Sequence, residues 1–270
     1  MQNTVVSTDS RFSLALKDIR EGIHSWPIWS TLAWQDIRQR YRRSVLGPLW
    51  ITLTMIVTIA GMGPLYAALF RVDAHEFIPY LALGIISWGL ISMLILEGCA
   101  TFSGADTLIR SVRLPMTMHA FRMIGRNVVI YLHNWVAYVP FMIYLGITPT
   151  WTWLMVLPGL LIVVIASIPV AIILGLFCAR FRDMQPIVGS VVQLAFFLTP
   201  IFWKPEALGT RVAFAKYNPL FMLVDLLRGP ILGYIPGANV YIGVGIITVA
   251  LYAVAIPMFV RYRQRIAFWV

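Results

Sequence analysis

The sequence predicts an all-α integral membrane protein with about six transmembrane helices, and three observations support this: composition, hydropathy and the distribution of charge. Of the 270 residues, 60% are hydrophobic and only 12% are charged, with a mean hydropathy of +0.81. A soluble domain has roughly 45–50% apolar and about 25% charged residues. Because water would leave this much apolar surface unfavourably exposed, we expect lipid to surround the chain.

Six stretches of the chain are long and apolar enough to cross a bilayer, which takes roughly 20 residues. They cover residues 46–70, 78–99, 128–146, 151–178, 187–203 and 240–260. Residues 46–270 are therefore a predicted six-helix transmembrane domain, which follows a cytoplasmic segment at residues 1–45. Residues 204–239 are too apolar for a free loop and are broken by prolines. We expect short re-entrant or interfacial helices there, before the last span.

The basic residues predict the orientation of the chain in the membrane. The net charge is +10, and sixteen of the 21 Lys and Arg residues fall on the side that holds both termini. Cytoplasmic loops carry this excess of positive charge. We therefore expect a multi-pass protein of the bacterial inner membrane with both termini in the cytoplasm. A basic chain can also indicate nucleic-acid binding, but the charge follows the membrane topology, so we expect no nucleic-acid partner.

The segment before the first span has the pattern of an amphipathic helix. Its apolar residues recur at steps of four and three, and they are Phe12, Leu16, Ile19, Ile23 and Trp26. Charged residues fill the other face. Tryptophan at one end and basic residues on the polar face are typical of a helix in the membrane interface. The alternative is a cap that packs on the base of the bundle.

Motifs for chemistry are missing from the sequence. It contains no Gly-Lys pair, hence no phosphate-binding loop, and no Cys or His cluster with metal-ligand spacing. Cys99 and Cys178 read as small core residues. We therefore predict no catalytic residue, no metal and no cofactor in this chain. The ionisable residues Glu97, His133 and Asp225 fall in or near apolar segments, where they are either functional or satisfied structural groups.

The segment between the second and third predicted spans, residues 103–127, combines basic residues with an apolar strip interrupted by Pro115. A short helix of this kind can dock into the groove of a partner. The alternative is an ordinary cytoplasmic loop that carries positive charge.

Several motifs resemble the permeases of polysaccharide ABC exporters of the ABC-2 type. Residues 34–50 contain the family's R-x-R-[YF] run at 38–41, its S-x-L-G run at 44–47, and then Trp50. Residues 111–115, 179–183 with 193–201, and 218–220 resemble three further family segments. The resemblance extends from about Ser30 to the last residue, and it is specific as a set.

The resemblance implies a function that composition does not show. Members export lipid-linked O-antigen, capsular polysaccharide or teichoic acid precursors, and this chain looks closest to the O-antigen type. Two permease copies form the pathway, and two copies of a separate ATP-binding subunit bind ATP and Mg²⁺ below it. The chain itself would be a transporter subunit and not an enzyme, in contact with membrane lipid and a lipid-linked glycan.

The resemblance also suggests which residues meet the partner and the substrate. The expected ATPase-coupling residues are Phe12, Leu16, Ile19, Leu108, Arg110, Arg113, Leu114 and Pro115. Arginine matches phosphate oxygens bidentately, so a diphosphate lipid headgroup is expected near a basic cluster. The candidates are Arg38, Arg40, Arg42 and Arg43. The alternative for this cluster is positive-inside anchoring without any substrate contact.

Three other functions compete with export of an O-antigen-like polysaccharide. An ABC-2 permease for a drug or a small lipid has the same architecture. Capsule or teichoic acid export differs only in the substrate. A membrane-embedded glycosyl transferase would need convergent carboxylates or a metal site, whereas the 11 Asp and Glu residues are scattered among loops.

Overall fold

The computed structural model describes residues 11–40, Gly47 and residues 49–270. Every regular element in these residues is a helix, which confirms the all-α membrane class. Two helices precede the first span: α1 (Arg11–His24) and α2 (Trp26–Arg40). The predicted boundary between residues 45 and 46 lies outside the described residues.

The bundle begins with two long helices, α3 (Leu49–Phe70) and α4 (Ala74–Cys99). After a single 3₁₀ turn come the short α5 (Asp106–Ser111) and the long α6 (Met116–Asn134). A second 3₁₀ turn separates α6 from α7 (Val139–Leu145). Pro140 lies in the first turn of α7 and has no N–H to donate, so the hydrogen-bond ladder cannot run on from α6.

The second half of the bundle consists of α8 (Val156–Arg180) and α9 (Met184–Leu198). A 3₁₀ segment (Pro205–Arg211), α10 (Val212–Lys216) and α11 (Pro219–Arg228) follow. The chain then forms α12 (Ala238–Tyr262) and, after one more 3₁₀ turn, α13 (Ile266–Trp269). Residues 204–239 thus hold short helices. Of these, α11 is buried along almost its whole length and is capped by the side chain of Asn218.

Helices α4 and α8 form the centre of the bundle. Most of α4 is buried against α3, α6, α8, α9 and α11. Gly159 lets α8 approach α11 closely, since a Cβ there would lie 2.5 Å from the carbonyl oxygen of Leu226. Small residues allow this backbone contact in membrane bundles. In contrast, most residues of α3 and α12 are not buried within the chain, so these two helices lie on the outside of the bundle.

One helix begins before the span predicted for it. The third span was expected at residues 128–146, but its helix begins at Met116, so residues 116–127 are helical and not part of a loop. The hydropathy of this stretch is lowered by Arg122 and Arg126. Both guanidiniums are paired with carboxylates, so the helix continues through this stretch without leaving their charges unpaired.

The number of spans stays a prediction. Five helical segments of the described residues are long and apolar enough to cross a membrane. The predicted fifth span, residues 187–203, corresponds to α9, which has 15 residues and ends at Leu198. That is shorter than the roughly 20 residues that a full crossing takes.

Candidate functional site

A network of ion pairs joins α2, α4 and α6 at one end of the bundle. Arg122 binds Asp36 bidentately, with Nε 2.8 Å from Oδ2 and Nη2 2.5 Å from Oδ1. Arg126 Nη1 donates to the same carboxylate at 2.7 Å. Bidentate arginine–carboxylate pairs are among the strongest hydrogen-bonded contacts in proteins. Asp36 therefore fastens α2 to α6.

Glu97, in the last turn of α4, forms the other half of this network. It accepts from Arg126 Nη2 at 2.5 Å, Arg40 Nη2 at 2.9 Å and Asn127 Nδ2 at 2.6 Å. The Arg126 guanidinium thus bridges two acids on different helices. We call the set Asp36, Arg40, Glu97, Arg122 and Arg126 the basal ion network. It holds three cations and two carboxylates, so it has one positive charge in excess.

Electrostatics keep Asp36 ionised. Partial burial by itself would raise the pKa of Asp36, but the hydrogen bonds and positive charges of Arg122 and Arg126 outweigh it and hold the pKa below the usual value. The carboxylate is therefore negative at neutral pH, and it remains available to both arginines.

A polar cavity of about 260 Å³ adjoins the basal ion network. Arg40, Arg122 and Arg126 line it, together with His119 from α6. Arg126 Nε and both ring nitrogens of His119 are buried and have no hydrogen-bond partner among the described residues. Buried donors without an acceptor are rare in native proteins. This cavity can accept an anionic or strongly polar group.

A buried carboxylate, Asp18, attaches α1 to the start of α6. Its two oxygens accept from the backbone N–H of Met116 at 3.1 Å and of Thr117 at 3.0 Å. They also accept from the Thr117 hydroxyl at 2.9 Å and from Arg263 Nη1 at 3.0 Å. A negative charge at a helix N-terminus is favourable, because the first N–H groups lack intrahelical partners. Three segments of the chain meet at this one side chain.

The predicted ATPase-coupling residues divide into exposed and packed ones. Phe12 and Leu16 on α1 are 59% and 58% exposed, and Ile19 is half-buried. Instead of this apolar stripe, α1 places its small residues and Asp18 against the bundle. Helix α1 does pack on the base of the bundle, against α6 and α12, with Ala15 in a buried cluster and Ile19 against it. The alternative of a cap therefore describes the buried face of α1, while Phe12 and Leu16 stay exposed.

The remaining predicted coupling residues lie around α5. Arg110 and Arg113 are exposed, while Leu108, Leu114 and Pro115 are half-buried. The Arg110 guanidinium donates to the main-chain carbonyl of Val270, so the last residues of the chain are tied to α5. These residues and the stripe on α1 occupy the same end of the bundle as the basal ion network.

The predicted headgroup residues are placed only in part. Arg38 is exposed on α2, and Arg40 belongs to the basal ion network. Arg42 and Arg43 lie outside the described residues. Sequence reasoning missed Asp36 as the partner of Arg122 and Arg126 and Asp18 as the partner of Arg263. The four-residue spacing of Arg122 and Arg126, which puts both on one helix face, is the signal that could have indicated the network.

The three ionisable residues singled out from the sequence each have a partner. Glu97 accepts three hydrogen bonds, as described above. His133 pairs with the Thr52 hydroxyl at 3.0 Å. Asp225 accepts from the Tyr234 hydroxyl at 2.6 Å. Within the described residues, no group of three His, Cys, Asp or Glu side chains could hold a metal ion.

Comparisons with known proteins place these features in context. The family model described as ABC-2 type transporter matches residues 28–232. The chain is 25% identical over 245 residues to an O-antigen export system permease protein, RfbA, of Myxococcus xanthus, covering 88% of this chain and 93% of the relative. Two proteins of the same name from Klebsiella pneumoniae are 23% and 22% identical, and this chain covers 80% and 91% of them.

Proposed function

The chain belongs to the ABC-2 type transporter family, and from that premise we propose that it exports a lipid-linked, O-antigen-like polysaccharide across the inner membrane. Membership confirms the resemblance seen in the sequence and makes the chain a multi-pass membrane permease, not an enzyme. The observation that carries the choice of substrate is the similarity to O-antigen export permeases over nearly the full length of both chains.

We infer that ATP and Mg²⁺ bind to a separate subunit, since the family works with an ATP-binding partner. The exposed stripe on α1 is the proposed docking face for that partner. Because Asp18 ties α1 to the start of α6, a push on α1 would move α6 as a rigid body. The same displacement would reach α4 through Glu97 and Arg126.

The basal ion network is the proposed contact for the diphosphate headgroup of the lipid carrier. Its arginines exceed its carboxylates by one, and the adjoining cavity offers the unpaired Nε of Arg126. Arginine binds phosphate oxygens in a fixed bidentate geometry. Of the four headgroup residues predicted from the sequence, Arg40 is the one described residue that also lines this cavity. Its other role, pairing with Glu97, supports the alternative of structural anchoring.

We further propose a homodimer whose copies meet along exposed membrane helices, with two ATP-binding subunits and both termini in the cytoplasm. On α9, only Val192 is buried, while Gln193 is exposed among apolar neighbours. A side-chain amide facing lipid lacks hydrogen-bond partners. A second copy or a polar pathway between two copies would supply them.

Deletion of the gene in its own host tests the function, with the surface glycan and its lipid-linked precursor located by fractionation. We expect finished, lipid-linked polymer to accumulate on the cytoplasmic side and a plasmid copy to restore export. A strain that makes no polymer at all would favour the transferase alternative. A glycan that reaches the surface normally would reject polysaccharide export and favour a drug or small-lipid permease.

A further inference from the structure

A second polar cavity lies at the opposite end of α4 from Glu97. Its volume is about 690 Å³, within the roughly 300–1,000 Å³ typical of ligand pockets. The first turns of α4, the segment before α10, α11 and the start of α12 enclose it. We call it the distal cavity. Tyr234 and Glu206 at its edge are exposed, so it opens to the surface.

The floor of the distal cavity contains a fully buried arginine, Arg228. Its Nη1 donates to the carbonyl of Pro200 at 2.9 Å, and its Cζ lies 3.9 Å from the ring centroid of Tyr80. Tyr80 is itself held by a hydrogen bond from its hydroxyl to the carbonyl of Trp203 at 2.9 Å. The guanidinium is thus fixed in place by stacking and by one hydrogen bond.

Two donor atoms of Arg228 are left without a partner. Nε and Nη2 are buried and meet no acceptor among the described residues. An arginine carries five N–H donors and cannot give up its charge. Leaving buried donors of a charged group unpaired costs more than leaving neutral ones unpaired. The site is therefore built for a ligand that brings hydrogen-bond acceptors.

The charges around the cavity decide which ligand fits. Three carboxylates line it, and they are Glu76, Glu206 and Asp225. Three cations balance them, namely Lys204, Lys216 and Arg228. A phosphate or another compact anion would meet as much negative as positive charge. A polyhydroxylated ligand uses both kinds of group, because each hydroxyl both donates and accepts.

Aromatic rings complete the lining. Tyr80, Tyr138, Phe221 and Tyr234 all border the distal cavity. Their flat apolar faces suit the C–H faces of pyranose rings, and the tyrosine hydroxyls add polar contacts at the edge. Asp225 is bound to the Tyr234 hydroxyl at 2.6 Å, which fixes a carboxylate next to an aromatic face. The lining of the distal cavity thus combines aromatic faces, hydrogen-bond acceptors and hydrogen-bond donors, the groups that a saccharide can use.

We propose that the distal cavity binds a short run of neutral sugar units, as a glycan subsite at the end of the permease opposite the basal ion network. The proposal rests on the proposed export function, since it assigns a sugar contact to the same polymer. Arg228 donates to sugar oxygens from below, the carboxylates accept from hydroxyls at the sides, and the tyrosines stack on the rings.

Binding to the full-length permease in lipid nanodiscs tests the proposal. The probes are the delipidated surface polysaccharide of the producing bacterium, neutral oligosaccharides of glucose, mannose, galactose and rhamnose, and sodium pyrophosphate as the competing anion. We expect saturable binding of at least one neutral probe that excess pyrophosphate does not displace.

Variants then locate the binding. Glu206→Gln with Lys216→Gln changes only the exposed rim, and Asp225→Asn and Arg228→Lys change the floor. We expect each set to weaken binding by about tenfold, the effect of losing one or two hydrogen bonds. Trp151→Ala is the matched control, because Trp151 is 87% exposed and outside the cavity. Thermal unfolding of every variant separates weak binding from a failure to fold, and the rim variant keeps the test valid if a floor variant does not fold.

The outcomes separate this proposal from the export function. A wild-type protein that binds no neutral probe, a probe that pyrophosphate displaces, or affinities unchanged in the rim and floor variants would each overturn the glycan subsite. Export measured by complementation with the same variants is the second readout. Normal export by variants that bind sugar as the wild type does overturns the subsite and leaves the function intact. If the variants lose sugar binding, the subsite is supported. If deletion of the gene leaves glycan export in the host unchanged, the export function is rejected, whatever the binding result.

Discussion

Asp18 is a single buried side chain that connects three parts of the chain. It is 4% exposed, and it accepts hydrogen bonds from the backbone of α6, from Thr117 and from Arg263. Nothing in the local sequence distinguishes it from Glu21, the other acid of α1, because its partners lie about 100 and 245 residues further on. Its role depends entirely on how α1 lies against the bundle.

Replacing Asp18→Asn keeps the shape of the side chain and removes its charge. We expect a loss of about 1–3 kcal/mol in the free energy of unfolding, as for a buried charged acceptor that is only partly replaced. Thermal unfolding of the purified variant measures it. Asp183→Asn is the control, because Asp183 is exposed. Equal stability of the two variants would show that Asp18 does not hold α1 to α6.

The lowered pKa of Asp36 predicts how the stability of the protein depends on pH. Its pKa is lowered in the folded state, with burial opposed by the stronger effect of Arg122 and Arg126. The stabilisation is therefore present above the carboxyl pKa of the unfolded chain, about 4, and is lost as pH falls through the folded value. We expect the wild type to lose more stability on acidification than Asp36→Asn does.

Thermal unfolding between neutral pH and the acid range measures this difference. Glu21→Gln is the matched control. Among the described residues, the Glu21 side chain forms only an exposed pair with Lys17 at 3.9 Å, and such pairs contribute little. Parallel acid profiles for the wild type and Asp36→Asn would contradict the prediction.

At the scale of elements, α1 has one face buried against the bundle and one exposed face. Ala15, Asp18 and Gly22 face the bundle, whereas Phe12, Leu16 and Ile23 are exposed. The sequence pattern identifies the apolar stripe but not what covers it. In the part of the chain that the structure describes, Phe12, Leu16 and Ile23 are left uncovered, so they are available to a partner or to the membrane interface.

The double replacement Phe12→Ser and Leu16→Ser tests the docking face. We expect the permease to keep its thermal stability, because both side chains are exposed, and to lose most co-purification of the ATP-binding subunit. Phe214→Ser is the control, an exposed aromatic residue on α10. Unchanged recovery of the ATP-binding subunit would assign the stripe to the lipid interface.

At the scale of the whole molecule, the bundle has two chemically different ends. One end holds the basal ion network, Asp18 and the predicted coupling residues, and the other holds the distal cavity. Helices α4 and α8 run between them in the core, while α3, α9 and α12 expose apolar side chains. Long central helices that connect both ends allow a displacement at one end to reach the other.

Cysteine labelling tests the orientation of these ends. Cys99 and Cys178 are both buried, so exposed cysteines can be added at Ser111→Cys and Ala207→Cys. In intact spheroplasts, we expect a membrane-impermeant maleimide to label only the variant at Ala207, since the basic end should face the cytoplasm. Labelling of the variant at Ser111 alone would invert the predicted topology.

Local properties of the sequence predicted much of this protein. Runs of apolar residues indicated the membrane class and most helices, and the arginine bias indicated an orientation. The helix of the third predicted span begins before that span, at Met116, because Arg122 and Arg126 are paired with Asp36 and Glu97. A hydropathy window cannot include partners that lie 29 to 90 residues away.

By itself, the sequence determined the solvent, the helical class and the family, because hydropathy, periodicity and short motifs are written along the chain. Only the tertiary structure decided which acid meets which base, which face of α1 is left open, and that Arg228 lies under Tyr80 beside Asp225. These contacts arise where helices distant in sequence cross. They depend on packing and desolvation, which no single segment encodes.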